Sequence, residues 1–268
     1  MDPSEFILSL EDIHWKQKGK PILKDVTWKV KKGEHWVLLG LNGSGKTSIL
    51  KMITGYQWPT EGTVSVLGNL FGKANIQELR KSIGWVSTSL DERFKNRSDD
   101  SALHVVLSGK HASIGTYTEF SKEDVERAKS LLSEFGIDHL YDQPFFTLSQ
   151  GEKRKVMISR ALMPFPKLLI LDEPCNGLDL YSKEQLLASI EKMNQKPSGP
   201  TLLYVTHHIE EVLPSITHAM LLDSGSVIAS GEKKDILTEE KIENTFHLPV
   251  SIKWDEERPW IRVKSNIF

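Results

Sequence analysis

Gly40-Leu41-Asn42-Gly43-Ser44-Gly45-Lys46-Thr47 brings together residue types suited to holding a polyphosphate. Glycines let successive backbone N–H groups point inward at phosphate oxygens. Lys46 carries a charge that would neutralise β- and γ-phosphates, and the Thr47 hydroxyl is a ligand for Mg2+. A second set of chemistry-bearing residues closes the run Leu168-Leu169-Ile170-Leu171-Asp172-Glu173-Pro174. An apolar strand that ends in two carboxylates presents them at the edge where open parallel sheets bind ligands. Asp172 is expected to hold Mg2+ through water, and Glu173 to orient or deprotonate a water attacking the γ-phosphate. Taken singly, the first stretch is a Gly-rich turn with a solvated lysine and the second an acidic loop after a strand. Their presence in one chain favours the chemical reading.

These residues need particular elements around them. Trp36-Val37-Leu38-Leu39 reads as a buried strand leading into the loop, and Ser48-Ile49-Leu50-Lys51-Met52-Ile53 as a helix ended by Gly55. Such a helix adds the positive end of its dipole to the phosphate site. Residues 5–40 alternate apolar and polar in short runs, with turns at 18–21 and 31–33, which predicts an antiparallel sheet. A strand pair is expected at 62–67 and 83–86. From about 98 to 162 the pattern is helical. Ser121 caps one helix with an acid three residues on. Its apolar stripe is Val125, Ala128, Leu131, Leu132 and Phe135, and Gly136 stops it. Another helix is expected from about Ser149 to Leu162. The runs at 168–171 and 201–205 lack alternation, as central parallel strands do. The helix between them is expected to start at Ser182, with Gln185 at the capping-box position. Ile252, Trp254, Ile261 and Val263, around Asp255-Glu256-Glu257-Arg258-Pro259, read as a late hairpin.

At 268 residues the chain suits one large or two small domains. A net charge of -2 with 26% charged residues argues against a nucleic-acid surface driven by bulk charge and leaves a local patch open. The single cysteine, Cys175, excludes an intramolecular disulfide and is compatible with a reducing cytosol. The acidic Met1-Asp2-Pro3-Ser4-Glu5 lacks the features of a signal peptide. No run of 18 apolar residues occurs, so the chain is not expected to span a membrane by itself.

Leu148-Ser149-Gln150-Gly151-Glu152, followed by Lys153-Arg154-Lys155, is by itself an N-cap and a solvated basic face. Between a phosphate loop and Asp172-Glu173 it resembles the Leu-Ser-Gly-Gly-Gln signature of the ATP-binding cassette (ABC) ATPases, with Gln150 and Glu152 as variants. The resemblance covers roughly residues 5–235. It implies that Gly40, Leu41, Asn42, Gly43, Ser44, Gly45, Lys46, Thr47 and Ser48 bind nucleotide. It also implies that Ser149 and Gly151 close on the γ-phosphate of ATP held by another protomer. Asn176-Gly177-Leu178-Asp179 resembles the D-loop, with Asp179 as its acid, and His207 matches the switch histidine that contacts the γ-phosphate. His208 stands where an acid is common in the family. At the Q-loop this chain has Ser87-Thr88-Ser89, so Thr88 replaces the usual Gln and would reach Mg2+ or the attacking water only indirectly. Trp15 is the nearest aromatic for stacking on adenine, although the register from Ile22-Leu23 places Gln17 there.

The resemblance implies an α/β phosphate-loop core of ABC type, with an N-terminal antiparallel β-subdomain and an inserted helical subdomain at about 88–162. The ABC domain would span 5–235 and a C-terminal extension 236–268. It implies a Mg2+-dependent ATPase that converts ATP and water to ADP and phosphate by in-line attack, with Lys46, Mg2+ and Ser149 stabilising charge. Two copies, or this chain and a paralogous ABC subunit, would pack head to tail around two ATP–Mg2+. The work implied is transport through separate transmembrane permease subunits, from a cytoplasmic position peripheral on the membrane. Leu90-Asp91-Glu92-Arg93-Phe94 is a candidate docking contact. The alternative is a soluble, non-transport ABC ATPase acting on nucleic acid, ribosomes or regulation. The spacing from Lys46 to Ser149 leaves no room for the long coiled coil of chromosome-maintenance types, and one cassette is present where translation factors carry two. Both favour transport. A nucleotide-binding module without turnover is disfavoured because Glu173 and His207 are both present.

Overall fold

In chain order the strands are β1 (Phe6–Gln17), β2 (Lys20–Lys31), β3 (Trp36–Leu39), β4 (Glu61–Val66), β5 (Asn69–Leu70), β6 (Ile83–Ser87), β7 (Leu168–Asp172), β8 (Thr201–Thr206), β9 (His218–Asp223), β10 (Ser226–Glu232), β11 (Val250–Asp255) and β12 (Arg258–Val263). The helices are α1 (Lys46–Ile53), α2 (Ile76–Lys81), α3 (Ala102–Leu107), α4 (Lys122–Glu134), α5 (Gln150–Leu162), α6 (Leu180–Asn194), α7 (Lys233–Ile236) and α8 (Glu239–Phe246). The structure is a computed structural model and describes residues 5–87, 100–111 and 119–264. They form two units, one reaching Arg80 and resuming at Thr201, the other running from Lys81 to Pro200.

The first unit contains a four-stranded antiparallel sheet in the order β2-β1-β4-β5. Its strands alternate as the sequence does: Leu8, Leu10 and Ile13 of β1 are buried, as are Leu23, Val26, Trp28 and Val30 of β2. Lys18 and Gly19 join β1 to β2 with φ of 50° and 80°, the left-handed pair that a tight hairpin turn demands. The same unit holds a parallel layer in which β3 lies between β8 and β9, with β10 antiparallel to β9. Every residue of β3 and β8 is buried. Strands covered on both faces have no solvated side, which is why these runs show no alternation.

Helix α1 follows β3 through the Gly-rich loop and buries Ile49, Leu50, Met52 and Ile53. Its C-terminal end is tied down by Arg80, which donates from Nε to the Thr54 carbonyl (2.9 Å) and from Nη2 to the Gly55 carbonyl (2.7 Å). A cation at this end also meets the negative pole of the helix. The unit closes with the expected late hairpin: β11 pairs antiparallel with β12 from Val250↔Val263 to Asp255↔Arg258.

The second unit pairs β6 with β7 in parallel, from Ile83↔Leu168 to Ser87↔Asp172. Helix α4 begins at the capping box expected from sequence. The Ser121 side chain accepts from the Asp124 N–H, and Asp124 accepts from the Ser121 N–H. Ala128, Leu131, Leu132 and Phe135 are buried, and Gly136 follows with φ of 67°.

Two expectations are corrected. The runs at 62–67 and 83–86 both form strands but do not pair with each other. In β4, Val64 and Val66 are buried while Thr63 is exposed, and the strand joins the antiparallel sheet beside β1. In β6 four of five residues are buried, and it takes the parallel partner β7. The alternating burial of β4 suits a half-covered antiparallel sheet and the near-continuous burial of β6 a parallel one. The helix expected at Ser182 starts two residues earlier, at Leu180. The Asp179 carboxylate accepts from the Ser182 N–H (3.0 Å) and from the Ser182 hydroxyl (2.7 Å). An aspartate one turn upstream has taken the capping position, and Ser182 serves as its donor.

Candidate functional site

In the first unit, β3 delivers the chain into a loop whose backbone needs glycine at two places. Gly43 and Gly45 have φ of 84° and 110°. A Cβ at Gly45 would also lie 2.7 Å from Leu23 Cδ2. Gly45 is the N-cap of α1 and offers no side-chain hydrogen bond. No side chain therefore caps the first turn, where the Ser48 N–H turns back to the Gly45 carbonyl (3.0 Å). Lys46 is buried and folds back, donating from Nζ to the Gly40 carbonyl (2.7 Å) and the Leu41 carbonyl (3.1 Å). Ser44 Oγ, in a residue 3% exposed, has no hydrogen-bond partner. A buried hydroxyl without a partner costs about 1–3 kcal/mol. Beside an uncapped helix N-terminus, a phosphate oxygen is the acceptor that would satisfy both. Thr47 is exposed. These features fit the polyphosphate expected from the sequence.

The loop is braced from the β9–β10 turn, a contact that the sequence did not reveal. Gly225 donates its N–H to the Ser44 carbonyl (2.9 Å) and accepts from the Lys24 N–H (2.8 Å). Its φ is 83°, and a Cβ there would lie 2.0 Å from the Ile22 carbonyl oxygen. Gly225→Ala is expected to destabilise the protein by about 2 kcal/mol or more and to weaken ATP binding with it. Urea unfolding followed beside a nucleotide titration tests this, and an unchanged midpoint overturns it.

His207 follows β8 in the same unit and is half-buried, with its ring centroid 4.1 Å from that of His208. Trp15 lies on β1 opposite Leu23, the residue that packs against Gly45. It is half-buried, while Gln17 is exposed at the strand's end. The register therefore puts Trp15, not Gln17, across from the residue that touches the phosphate loop.

The second unit carries the carboxylates and the pentapeptide. Asp172 is the last residue of β7, and Glu173 follows it, both half-buried. Glu173 has φ of 49° and accepts from Asn176 Nδ2 at 3.4 Å. A left-handed non-glycine backbone costs roughly 1–2 kcal/mol, and such strain concentrates at functional positions. Ser149 caps α5 in a full box: its hydroxyl accepts from the Glu152 N–H, and Glu152 accepts from the Ser149 N–H at 2.8 Å. Hydrogen bonds from Ser149 hold the Glu152 carboxyl below the usual range. Glu152, which departs from the family Gln, thus serves the cap. Gly151 is buried, and a Cβ there would come within 3.2 Å of Ser182 Cβ. Hydrogen bonds from Ser182 likewise lower Asp179. Thr88 and the stretch Leu90-Asp91-Glu92-Arg93-Phe94 lie outside the described residues.

A Gly-rich loop between a central parallel strand and an uncapped helix, in a mixed sheet protein, defines a phosphate-loop nucleotide-binding protein of the α/β class. Residues 23–176 match the family described as ABC transporter. The uncharacterized ABC transporter ATP-binding protein YlmA of Bacillus subtilis (strain 168) is 46% identical over 256 residues, which are 95% of this chain and 96% of YlmA. The solved structure of cbiO1 from Clostridium perfringens, part of the ABC transporter complex cbiONQ, matches with a TM-score of 0.74 and 28% identity, covering 90% of this chain and 94% of that one. The ATP-binding cassette MJ0796, solved as a dimer in a post-hydrolysis state with ADP and Pi, matches with a TM-score of 0.69 and 25% identity, covering 84% of this chain and 98% of that one. The chain belongs to the ABC transporter family, as one of its ATP-binding, ATP-hydrolysing subunits.

Proposed function

We propose that this chain hydrolyses ATP with Mg2+ as one half of a dimer and drives transport through separate membrane subunits. The observation that carries the reading is the phosphate loop: a buried lysine, an unpartnered Ser44 hydroxyl and a helix N-terminus without a cap. Lys46 and the 40–48 backbone hold the β- and γ-phosphates, and Trp15 stacks on the base. Thr47 and Asp172 would hold Mg2+, with Thr88 reaching it only indirectly, and the ion would neutralise charge on the phosphate oxygens. Glu173 takes the proton of the attacking water, and His207 contacts the γ-phosphate. Ser149, Gly151 and Asp179 act on the ATP of the partner protomer, so that ATP itself joins the two copies.

Support for the assembly comes from relatives. MJ0796 was solved as a dimer, and cbiO1 is part of the ABC transporter complex cbiONQ. Among the described residues no helix is long and apolar enough to cross a membrane. The chain is placed peripherally, on the cytoplasmic face. The test is a tagged Glu173→Gln protein captured with ATP from detergent-solubilised cells, its partners identified by mass spectrometry. A stoichiometric polytopic membrane protein is the expected outcome. Ribosomes, nucleic acid or soluble partners alone would replace transport with the non-transport reading.

A further inference from the structure

The chain that follows His207 is gripped from behind by the C-terminal hairpin. A 3-10 turn, Ile209–Glu211, comes directly after the two histidines. Its near side is fixed by β8. Thr206 Oγ1 accepts from the His208 N–H (3.0 Å) and donates to Glu211 Oε2 (2.7 Å), and the Tyr204 hydroxyl donates to the same oxygen (3.1 Å). Its far side is fixed by the hairpin. Arg258, the first residue of β12, donates from Nε to the Glu210 carbonyl at 2.7 Å. Its guanidinium carbon lies 4.8 Å from the centre of the Trp260 ring, which limits its swing.

A second tie runs alongside. Lys233 is 4% exposed, and its ammonium donates to the carbonyls of Leu213 (3.3 Å), Pro214 (2.9 Å) and Glu257 (3.2 Å). Glu257 and Arg258 are consecutive, so one hairpin corner is tied to the histidine segment at Glu210 directly and, through Lys233, at Leu213 and Pro214. Both cations bind backbone carbonyls there. Such bonds fix the path of the chain that presents the imidazole. Arg258 faces Asp255 across the hairpin, yet its Nε goes to Glu210.

We propose that Arg258 is a positioning residue for ATP hydrolysis, acting through the Glu210 carbonyl to hold the backbone that aims His207. The proposal rests on the reading of His207 as the group that contacts the γ-phosphate. Nucleotide is held by the 40–48 loop, so loss of this bond lowers turnover and leaves ATP affinity alone. Small displacements of a catalytic group cost up to about a hundredfold in rate.

The test uses the full-length chain with Arg258→Ala, Arg258→Lys, His207→Ala and the double variant Arg258→Ala/His207→Ala. Arg258→Ala is expected to lower kcat at least about tenfold, with KM for ATP within about twofold of wild type. Arg258→Lys restores most of the rate. In the His207→Ala background, Arg258→Ala adds less than about a twofold loss, because both act through one group. Amide hydrogen exchange gives a readout independent of turnover: residues 208–214 exchange faster in Arg258→Ala and as wild type in Arg258→Lys. A wild-type kcat in Arg258→Ala, multiplying losses in the double variant, or unchanged exchange overturns the proposal. A wild-type rate in His207→Ala instead removes the histidine reading beneath it.

Discussion

Glu173→Gln is expected to bind ATP as wild type does while turnover falls by roughly 10²–10⁴-fold, the range lost with a positioned general base. The substitution keeps size and hydrogen-bonding capacity. Glu173 is half-buried at the end of β7 and accepts from Asn176 Nδ2, a bond that the amide oxygen can still accept. What glutamine lacks is a group that takes a proton at neutral pH. Bound ATP then persists, and on the proposed reading that ATP joins two protomers the dimer accumulates with it. Phosphate release measures the first effect, and light scattering with and without ATP the second. A variant that keeps at least half of wild-type turnover would take Glu173 out of the base role.

Lys46→Ala is expected to fail at the earlier step, losing about a hundredfold or more in ATP affinity. Removing one partner of a desolvated, charge-assisted contact costs on the order of 2–5 kcal/mol, and every 1.4 kcal/mol is a factor of ten. Lys46 is 5% exposed, and its ammonium already bonds the carbonyls of Gly40 and Leu41. The alanine variant therefore loses the phosphate partner and the internal brace of the loop together. Calorimetric titration with ATP and Mg2+ checks the affinity, and a melting curve without nucleotide separates the brace from the phosphate contact. Unchanged affinity would refute the phosphate role of Lys46.

The parts legible in sequence are those decided within about one helical turn. Ser121 and Ser149 announce their capping boxes because donor and acceptor lie three residues apart. The loop from Gly40 to Thr47 is legible because it is one contiguous stretch. The late hairpin is legible because its apolar residues flank a turn in register. What escaped depends on distant partners. The alternation around Val64 suits an antiparallel sheet, but nothing near it names β1 as the partner of β4 or β7 as that of β6. The brace from Gly225 to Ser44 and the bond from Arg258 to Glu210, 48 residues apart, exist only once sheets are assembled. The start of α6 was missed for a local reason: two cap-forming residues, Asp179 and Ser182, lie within reach, and the carboxylate takes the position.

The left-handed backbone of Glu173 bears on how such a chain would drift over generations. Glycine adopts that conformation freely and asparagine nearly so, whereas glutamate is held there against a penalty of roughly 1–2 kcal/mol. With Glu173 as the proposed base, stability and hydrolysis pull this one position in opposite directions. While the transporter must turn over, selection retains the carboxylate. In a lineage where nucleotide only has to be bound, mutation at this site would run downhill toward glycine or asparagine, and the carboxylate would be among the first residues of the site to go.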